Sequence, residues 1–123
     1  MTDLDRVGER VRRAVLGDEH VNRAAANATE FTAPFHEYVT RSAWGQVWSR
    51  SELDIRTRSL VTLALLTALR CEDELAMHVA AALRLGITPA EIREVLLHTA
   101  VYAGAPAANA AFTTAAKVLG GTE

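Results

Sequence analysis

The chain has 123 residues, half of them hydrophobic, and a formal net charge of −2 at pH 7. A chain of this length fits one domain and can bury a single core. Its charge provides no basic field for nucleic acid, and no apolar run reaches the roughly 18 residues of a membrane span. One cysteine excludes an internal disulfide. With no signal-peptide pattern at its start, the sequence predicts a cytoplasmic, single-domain protein over residues 1–123.

Helical patterns follow one another along the chain, with no strand pattern between them. Caps and breaks separate them: Gly17 ends the first helix, Thr88 with Glu91 forms a capping box, and Gly120 with Gly121 ends the last. The fold class predicted is therefore an all-α bundle of six or seven helices. The first predicted helix runs from a cap at Thr2 or Asp3 to Gly17, the fourth from a cap at Ser51 or Asp54 to residue 69, and the fifth from residue 72 to just before Gly86. The others cover residues 18–27, 34–44, 89–104 and 106–119.

The stretch 60–69 is apolar on every side of its helix. A helix without a polar face has nothing to present to water, so this one is predicted to lie in the middle of the fold. Two arginines, Arg56 and Arg58, stand in its first turn, where the helix dipole disfavours cations. They are therefore candidate anion binders, although solvated surface arginines are the commoner case.

Glu74 and His78 stand four residues apart on the next helix, so their side chains share one face. A carboxylate beside an imidazole can fix its tautomer and hold it as a proton donor. The alternative is an exposed helix pair that contributes about a few tenths of a kcal/mol. Leu75 and Ala82 lie on the apolar stripe beside His78, which favours an inward-facing imidazole.

Two further pairs have the same spacing. His98 and Tyr102 suit a second acid–base site, and they also suit a histidine at the edge of the core beside a packing tyrosine. Trp44 and Trp48 share a face if their segment is helical, and Gly45 between them is predicted to loosen or end that helix. They are core or subunit-contact residues by default, and the walls of a pocket in the minority interpretation.

Metal and thiol chemistry are weakly indicated. Glu74 and His78 would supply two ligands, but no HExxH or CxxC motif completes a metal site, so no metal is predicted. Cys71 precedes a helix, where the pKa of a thiol can be lowered. A lone cysteine is more often a small buried residue.

Three strings are specific enough to indicate a family. SAWGQVWSR (42–50), LDIRTRSLVTLALLTAL (53–69) and HVAAALRLGITPAEIREVLLHTAVYAGAPAANAAF (78–112) together resemble the carboxymuconolactone decarboxylase family. The resemblance covers roughly residues 31–119. It implies the alkylhydroperoxidase-like helical fold, no cofactor, and a homo-oligomer that is a trimer or a hexamer.

The redox members of the same superfamily carry a CxxC motif with a histidine four residues later and a glutamate upstream. Here Cys71 stands at the first cysteine position, Glu74 at the second and Ser59 at the upstream glutamate. Because a dithiol cycle needs a resolving thiol, this departure favours the decarboxylase branch. A thiol-dependent antioxidant enzyme using Cys71 and a non-enzymatic assembly protein remain the alternatives.

The resemblance implies a carboxy-lyase that converts 4-carboxymuconolactone to 4-oxoadipate enol-lactone and CO2 in protocatechuate catabolism. Our hypothesis makes His78, oriented by Glu74, the general acid, with His98 as a second acid–base candidate. Arginine would anchor the substrate carboxylate and aromatic rings would line the pocket. The remaining predicted substrate-binding residues are Arg58, with Arg41 or Arg50 as alternatives, and Trp44, Trp48 and Tyr102.

Overall fold

The computed structural model describes residues 2–120, and all regular secondary structure in that range is helical. This confirms the predicted all-α class. The predicted role of Gly121 in ending the last helix lies outside the described residues. The elements are α1 (Asp3–Leu16), α2 (Asp18–Ala26), α3 (Ala33–Val39), a π-helical segment (Thr40–Trp48), α4 (Ile55–Ala68), α5 (Glu72–Arg84), α6 (Pro89–Ala103) and α7 (Ala105–Gly120).

The chain divides into two compact units, with the boundary between residues 55 and 56. The first contains α1, α2, α3 and the π-helical segment. The second contains nearly all of α4 together with α5, α6 and α7. Over residues 2–120, no helix is long and apolar enough to cross a bilayer.

In the first unit, α1 begins at a capping box. The Thr2 hydroxyl accepts a hydrogen bond from the Asp5 backbone N–H, and the Asp5 carboxylate accepts one from the Thr2 backbone N–H at 3.0 Å. Two donors that a helix start leaves open are thereby satisfied. The predicted end of α1 at Gly17 is confirmed, since this residue has a φ of 91°.

The sequence predicts that Gly45 loosens or ends the third helix, and the structure shows a loosened helix that does not end there. The helix widens to a π-helix at Thr40 and continues to Trp48. Gly8 and Gly45 of the first unit serve a close helix crossing. A Cβ on Gly45 would lie 2.7 Å from the Leu4 carbonyl oxygen, and one on Gly8 would overlap the carbonyl oxygen of Thr40. Only glycine permits backbones to approach so closely.

The second unit is built around an aliphatic core to which all four of its helices contribute. The Thr88 hydroxyl accepts from the Glu91 N–H at 3.1 Å, which confirms the predicted capping box of α6. Gly86 (φ 86°) and Gly104 (φ 99°) take the left-handed turns before α6 and α7. The fully buried core comprises Leu63, Leu75, Val79, Ala82, Ile87, Ile92, Leu96, Ala111 and Ala115.

The prediction that the 60–69 stretch is enclosed on all sides is wrong for the single chain. Leu63 is fully buried on one side of α4, but Val61, Leu65 and Leu69 are 47%, 56% and 71% exposed. These three residues are spaced four apart and form one stripe. A unit of four helices is too small to cover α4 all round, so this apolar stripe faces outward.

Candidate functional site

His78 is the buried ionisable group of the second unit. It lies near the middle of α5 and is 7% exposed, and its Nδ1 atom is inaccessible to solvent. Leu75, Val79 and Ala82 on the same helix belong to the aliphatic core. The predicted inward orientation of His78 is therefore confirmed, and its imidazole occupies a low-dielectric environment in which charge interactions are strengthened.

Glu74 does not accompany His78 into the interior. Its side chain is exposed and makes no hydrogen bond or ion pair with any residue between 2 and 120. Residues four apart on an α-helix are offset by about 40°, and the edge of the buried face falls between these two. Glu74 shares the first turn with Glu72 and Asp73, where the helix dipole favours acidic side chains. The predicted carboxylate–imidazole pair is not formed.

Ser59 is a buried polar residue for which the sequence predicted no role. Four polar side chains are buried in the described chain, all in the second unit: Ser59, Thr67, His78 and Thr99. The threonine hydroxyls are satisfied within their own helices, because Thr67 and Thr99 each donate at 2.8 Å to the carbonyl four residues earlier. The Ser59 hydroxyl is fully buried without a hydrogen-bond partner among residues 2–120.

The arginines in the first turn of α4 have different environments. Arg56 forms an ion pair with Glu91, and the guanidinium lowers the pKa of that carboxyl below its usual range. This contact ties the start of α4 to the capping box of α6. Arg58 is partly buried, and its Nε atom is inaccessible to solvent. Of the two, Arg58 is the one set back toward the interior.

The pair formed by His98 and Tyr102 lies at the surface. His98 is exposed on α6, Tyr102 is 80% exposed, and their ring centroids are 5.4 Å apart. The i,i+4 contact predicted from the spacing is therefore present. Its exposure separates His98 from His78, which the sequence alone could not do.

The other predicted binding residues lie in the first unit. The rings of Trp44 and Trp48 are in contact, with centroids 4.7 Å apart and planes tilted by 33°. Arg41 is bound to Asp5 through two bonds of 3.1 and 3.2 Å, and this contact holds the pKa of the Asp5 carboxyl well below its usual range. Arg50 is exposed just after the π-helical segment. The contact with Asp5 leaves Arg41 a poor candidate for a substrate anchor.

Comparison with known proteins decides the family. Residues 33–117 match the carboxymuconolactone decarboxylase family. The chain belongs to this family. It is 50% identical over 111 residues to a 4-carboxymuconolactone decarboxylase of Acinetobacter baylyi, covering 90% of this chain and 83% of that protein.

Two further relatives carry related names. A nitrosuccinic acid decarboxylase of Metarhizium robertsii is 45% identical over 112 residues, which are 91% of this chain and 78% of that protein. A 4-carboxymuconolactone decarboxylase of Pseudomonas putida is 50% identical over 38 residues, 31% of this chain and 79% of that sequence. Decarboxylation is thus common to the three names, whereas the acid differs.

The chain of this family member carries one thiol, that of Cys71. Cys71 is partly exposed at the start of α5, and its sulfur lies 3.8 Å from the Leu69 carbonyl oxygen. Because no second cysteine exists in the sequence, the chain cannot form a disulfide within itself. No group of three or more metal-ligating side chains occurs within residues 2–120.

Proposed function

We propose that this protein is a cofactor-independent carboxy-lyase that converts 4-carboxymuconolactone to 4-oxoadipate enol-lactone and CO2 in protocatechuate catabolism. The observation that carries the proposal is a buried histidine, His78, in a chain half identical over nine-tenths of its length to a named decarboxylase of this lactone. The coarser part, decarboxylation, has the support of all three relatives. The finer part, the lactone, has the support of two of them.

The substrate supplies its own electron acceptor. The carboxylate is attached to a ring carbon conjugated through a C=C bond to the lactone carbonyl. When the bond to CO2 breaks, its electron pair moves through the ring to the carbonyl oxygen, giving a dienolate. A proton then adds to the ring carbon next to the lactone carbonyl, which leaves the C=C bond at the carbon that carried the carboxylate and gives the enol-lactone. The protein must orient the acid, stabilise the oxyanion and deliver that proton.

In this proposal His78 is the general acid. It is the one histidine of the second unit that is withdrawn from solvent, and a proton donor in a dry site exchanges little with bulk water. Glu74 has no part in the proposed proton transfer, since it is exposed and forms no hydrogen bond or ion pair with His78. The dry, aliphatic surroundings of α5 also strengthen any charge interaction with the dienolate.

Ser59 and Arg58 are the proposed binding groups. A buried hydroxyl without a partner costs about 1–3 kcal/mol, and a substrate oxygen would satisfy it. The Arg58 guanidinium is suited to two parallel bonds with a carboxylate. It is assigned to the carboxylate that remains in the product, because pairing the departing one would stabilise the ground state.

Nitrosuccinic acid is the second candidate substrate, because a relative of 45% identity bears that name. Its chemistry has the same logic: a carboxylate on the carbon that bears the nitro group can leave as CO2 because the nitro group accepts the electron pair as a nitronate. A site that excludes water, anchors one carboxylate and returns a proton to carbon suits both acids.

The purified protein should be given each acid separately, with and without a chelator, while ultraviolet absorbance and CO2 release are followed. Turnover of the lactone in preference to nitrosuccinate is expected, with no effect of the chelator. Preferred turnover of nitrosuccinate would overturn the lactone as substrate, and the proposed decarboxylase activity would stand. Turnover of neither acid, or peroxide reduction that Cys71→Ser abolishes, would contradict the whole proposal.

Ser59→Ala tests the binding role of the hydroxyl. We expect kcat/KM for the lactone to fall by about two- to tenfold, the effect of one neutral hydrogen bond. Thermal stability should stay the same or rise, because an unsatisfied polar atom is removed from the interior. Thr67→Val is the matched control on the same helix and should leave turnover unchanged. Lower stability of Ser59→Ala with full activity would assign the hydroxyl a purely structural role.

We also propose that the protein is a homo-oligomer, a trimer or hexamer. Val61, Leu65 and Leu69 form an exposed apolar stripe along α4 and just past its end, and Leu97 and Val101 on α6, spaced four apart, are 48% and 77% exposed. Exposed apolar side chains at such regular spacing are typical of protein–protein contact surfaces. A second copy is the occupant that the family resemblance implies.

Leu65→Glu tests this assembly. Light scattering after gel filtration should give three or six times the single-chain mass of 13.3 kDa for the natural protein. The Leu65→Glu variant should elute near the mass of the single chain, because it places a charge in an apolar contact. Thr113→Glu, at an exposed position of α7, should leave the assembly intact. A natural protein that elutes as a single chain would refute the proposal.

A further inference from the structure

The first unit contains a cavity of about 420 Å³ between α1, α2 and the helix formed by α3 and the π-helical segment. This volume lies in the range of small-molecule sites. The space exists because the facing residues are small: Ala24, Ala25, Ala28 and Ala33 contribute methyl groups to the wall. The cavity lies wholly within this unit, and neither His78 nor Arg58 lines it.

Most charged groups at the cavity are already paired. Asp5 binds Arg41 through both carboxylate oxygens, and Glu9 accepts a bond of 2.8 Å from Arg13 Nε. These acids therefore have little capacity left to attract a cation. Glu37, which also lines the space, is exposed to solvent.

Arg12 is the exception among the cations. It lines the cavity and is partly buried, yet it makes no hydrogen bond or ion pair with any residue between 2 and 120. Burial lowers the pKa of its guanidinium, and the nearby Glu9 only partly opposes this. The positive charge also reaches His20, whose pKa is lowered by burial and by Arg12 and Arg23. Arg12 thus keeps hydrogen-bond donors that no side chain in the described range occupies.

We propose that this cavity is a binding site for a small organic monocarboxylate, with the carboxylate on Arg12 and a compact apolar body against the alanine wall. A guanidinium with free donors forms two parallel bonds with a carboxylate. The methyl groups around it offer apolar contact and no competing hydrogen bonds. This site is independent of the proposed decarboxylase activity, because it uses none of the residues assigned to that reaction.

Calorimetric titration with benzoate, and with benzylammonium as its cationic counterpart, tests the proposal on the full chain. Benzoate should bind and benzylammonium should not. Arg12→Gln should weaken benzoate binding by about tenfold or more, the effect of losing a charge-assisted hydrogen bond. Ala25→Leu should abolish it by filling the space.

Two controls locate the binding. Arg10→Gln removes an exposed arginine of the same helix that does not line the cavity, and it should bind benzoate normally. Arg58→Gln should also bind normally, which separates this site from the proposed active site. Circular dichroism melting shows whether each variant folds. No binding to the natural protein, preference for benzylammonium, or equal loss in the Arg10 and Arg12 variants would overturn the proposal.

Discussion

Replacing His78 by glutamine should lower kcat for the lactone by about 10²–10⁴-fold, the usual contribution of a positioned general acid. Glutamine keeps a polar side chain of similar reach in the buried position but cannot deliver a proton at neutral pH. Because the residue is 7% exposed, its environment excludes the water that could otherwise replace it as a donor. Stopped-flow absorbance at saturating lactone measures kcat directly.

His98→Gln is the matched control for this prediction. His98 is exposed on α6 of the single chain beside Tyr102 and lies outside the buried surroundings of His78, so kcat should stay within about threefold of the natural protein. Melting temperatures distinguish lost chemistry from lost folding in the buried variant. If His78→Gln kept kcat within threefold while folding normally, or if His98→Gln lost more activity, the proton donor would be assigned wrongly.

The helices were predictable because their signals are local. Thr88 with Glu91, Gly17, Gly86 and Gly104 act within one or two turns of themselves, and each stands where the sequence places a helix end. The π-helical segment was not predictable in this way. Gly45 has the appearance of a helix breaker, but its role depends on the backbone at Leu4, far earlier in the chain.

Burial was predicted correctly for His78, where one helix face decides it, and wrongly for α4 in the single chain. The apolar stripe around His78 was sufficient to place that imidazole inside. The same reasoning enclosed α4, yet Leu65 and Leu69 face outward in the single chain. Amphipathic pattern reports which residues avoid water, and it does not say whether the cover comes from the same chain or another copy.

The candidate site was predictable only in part, because helical spacing gives the face of a residue but not its burial. Spacing placed Glu74 and His78 on one face, but an offset of about 40° per four residues leaves room for one to be buried and the other solvated. Ser59 and Arg12 were not selected, since a serine or an arginine becomes noteworthy only when tertiary neighbours bury it without supplying a partner.

Arg58→Gln should raise KM for the lactone by about ten- to a hundredfold and change kcat by less than threefold. A charged hydrogen-bonded anchor contributes about 1.5–3 kcal/mol, and an anchor on the retained carboxylate acts equally in the ground state and the transition state. Arg58→Lys should recover part of the loss, because an ammonium keeps the charge but not the two parallel bonds. Initial rates across lactone concentrations separate KM from kcat.

Arg56→Gln is the matched control, two residues away in the same helical turn. Its guanidinium is bound to Glu91 at the surface, so the change should cost less than about 1 kcal/mol of stability and leave both kinetic constants unaltered. Equal increases in KM for the two variants would point to a general field of positive charge instead of a specific anchor. A fall in kcat with unchanged KM for Arg58→Gln would place that guanidinium at the developing oxyanion, where it acts only in the transition state.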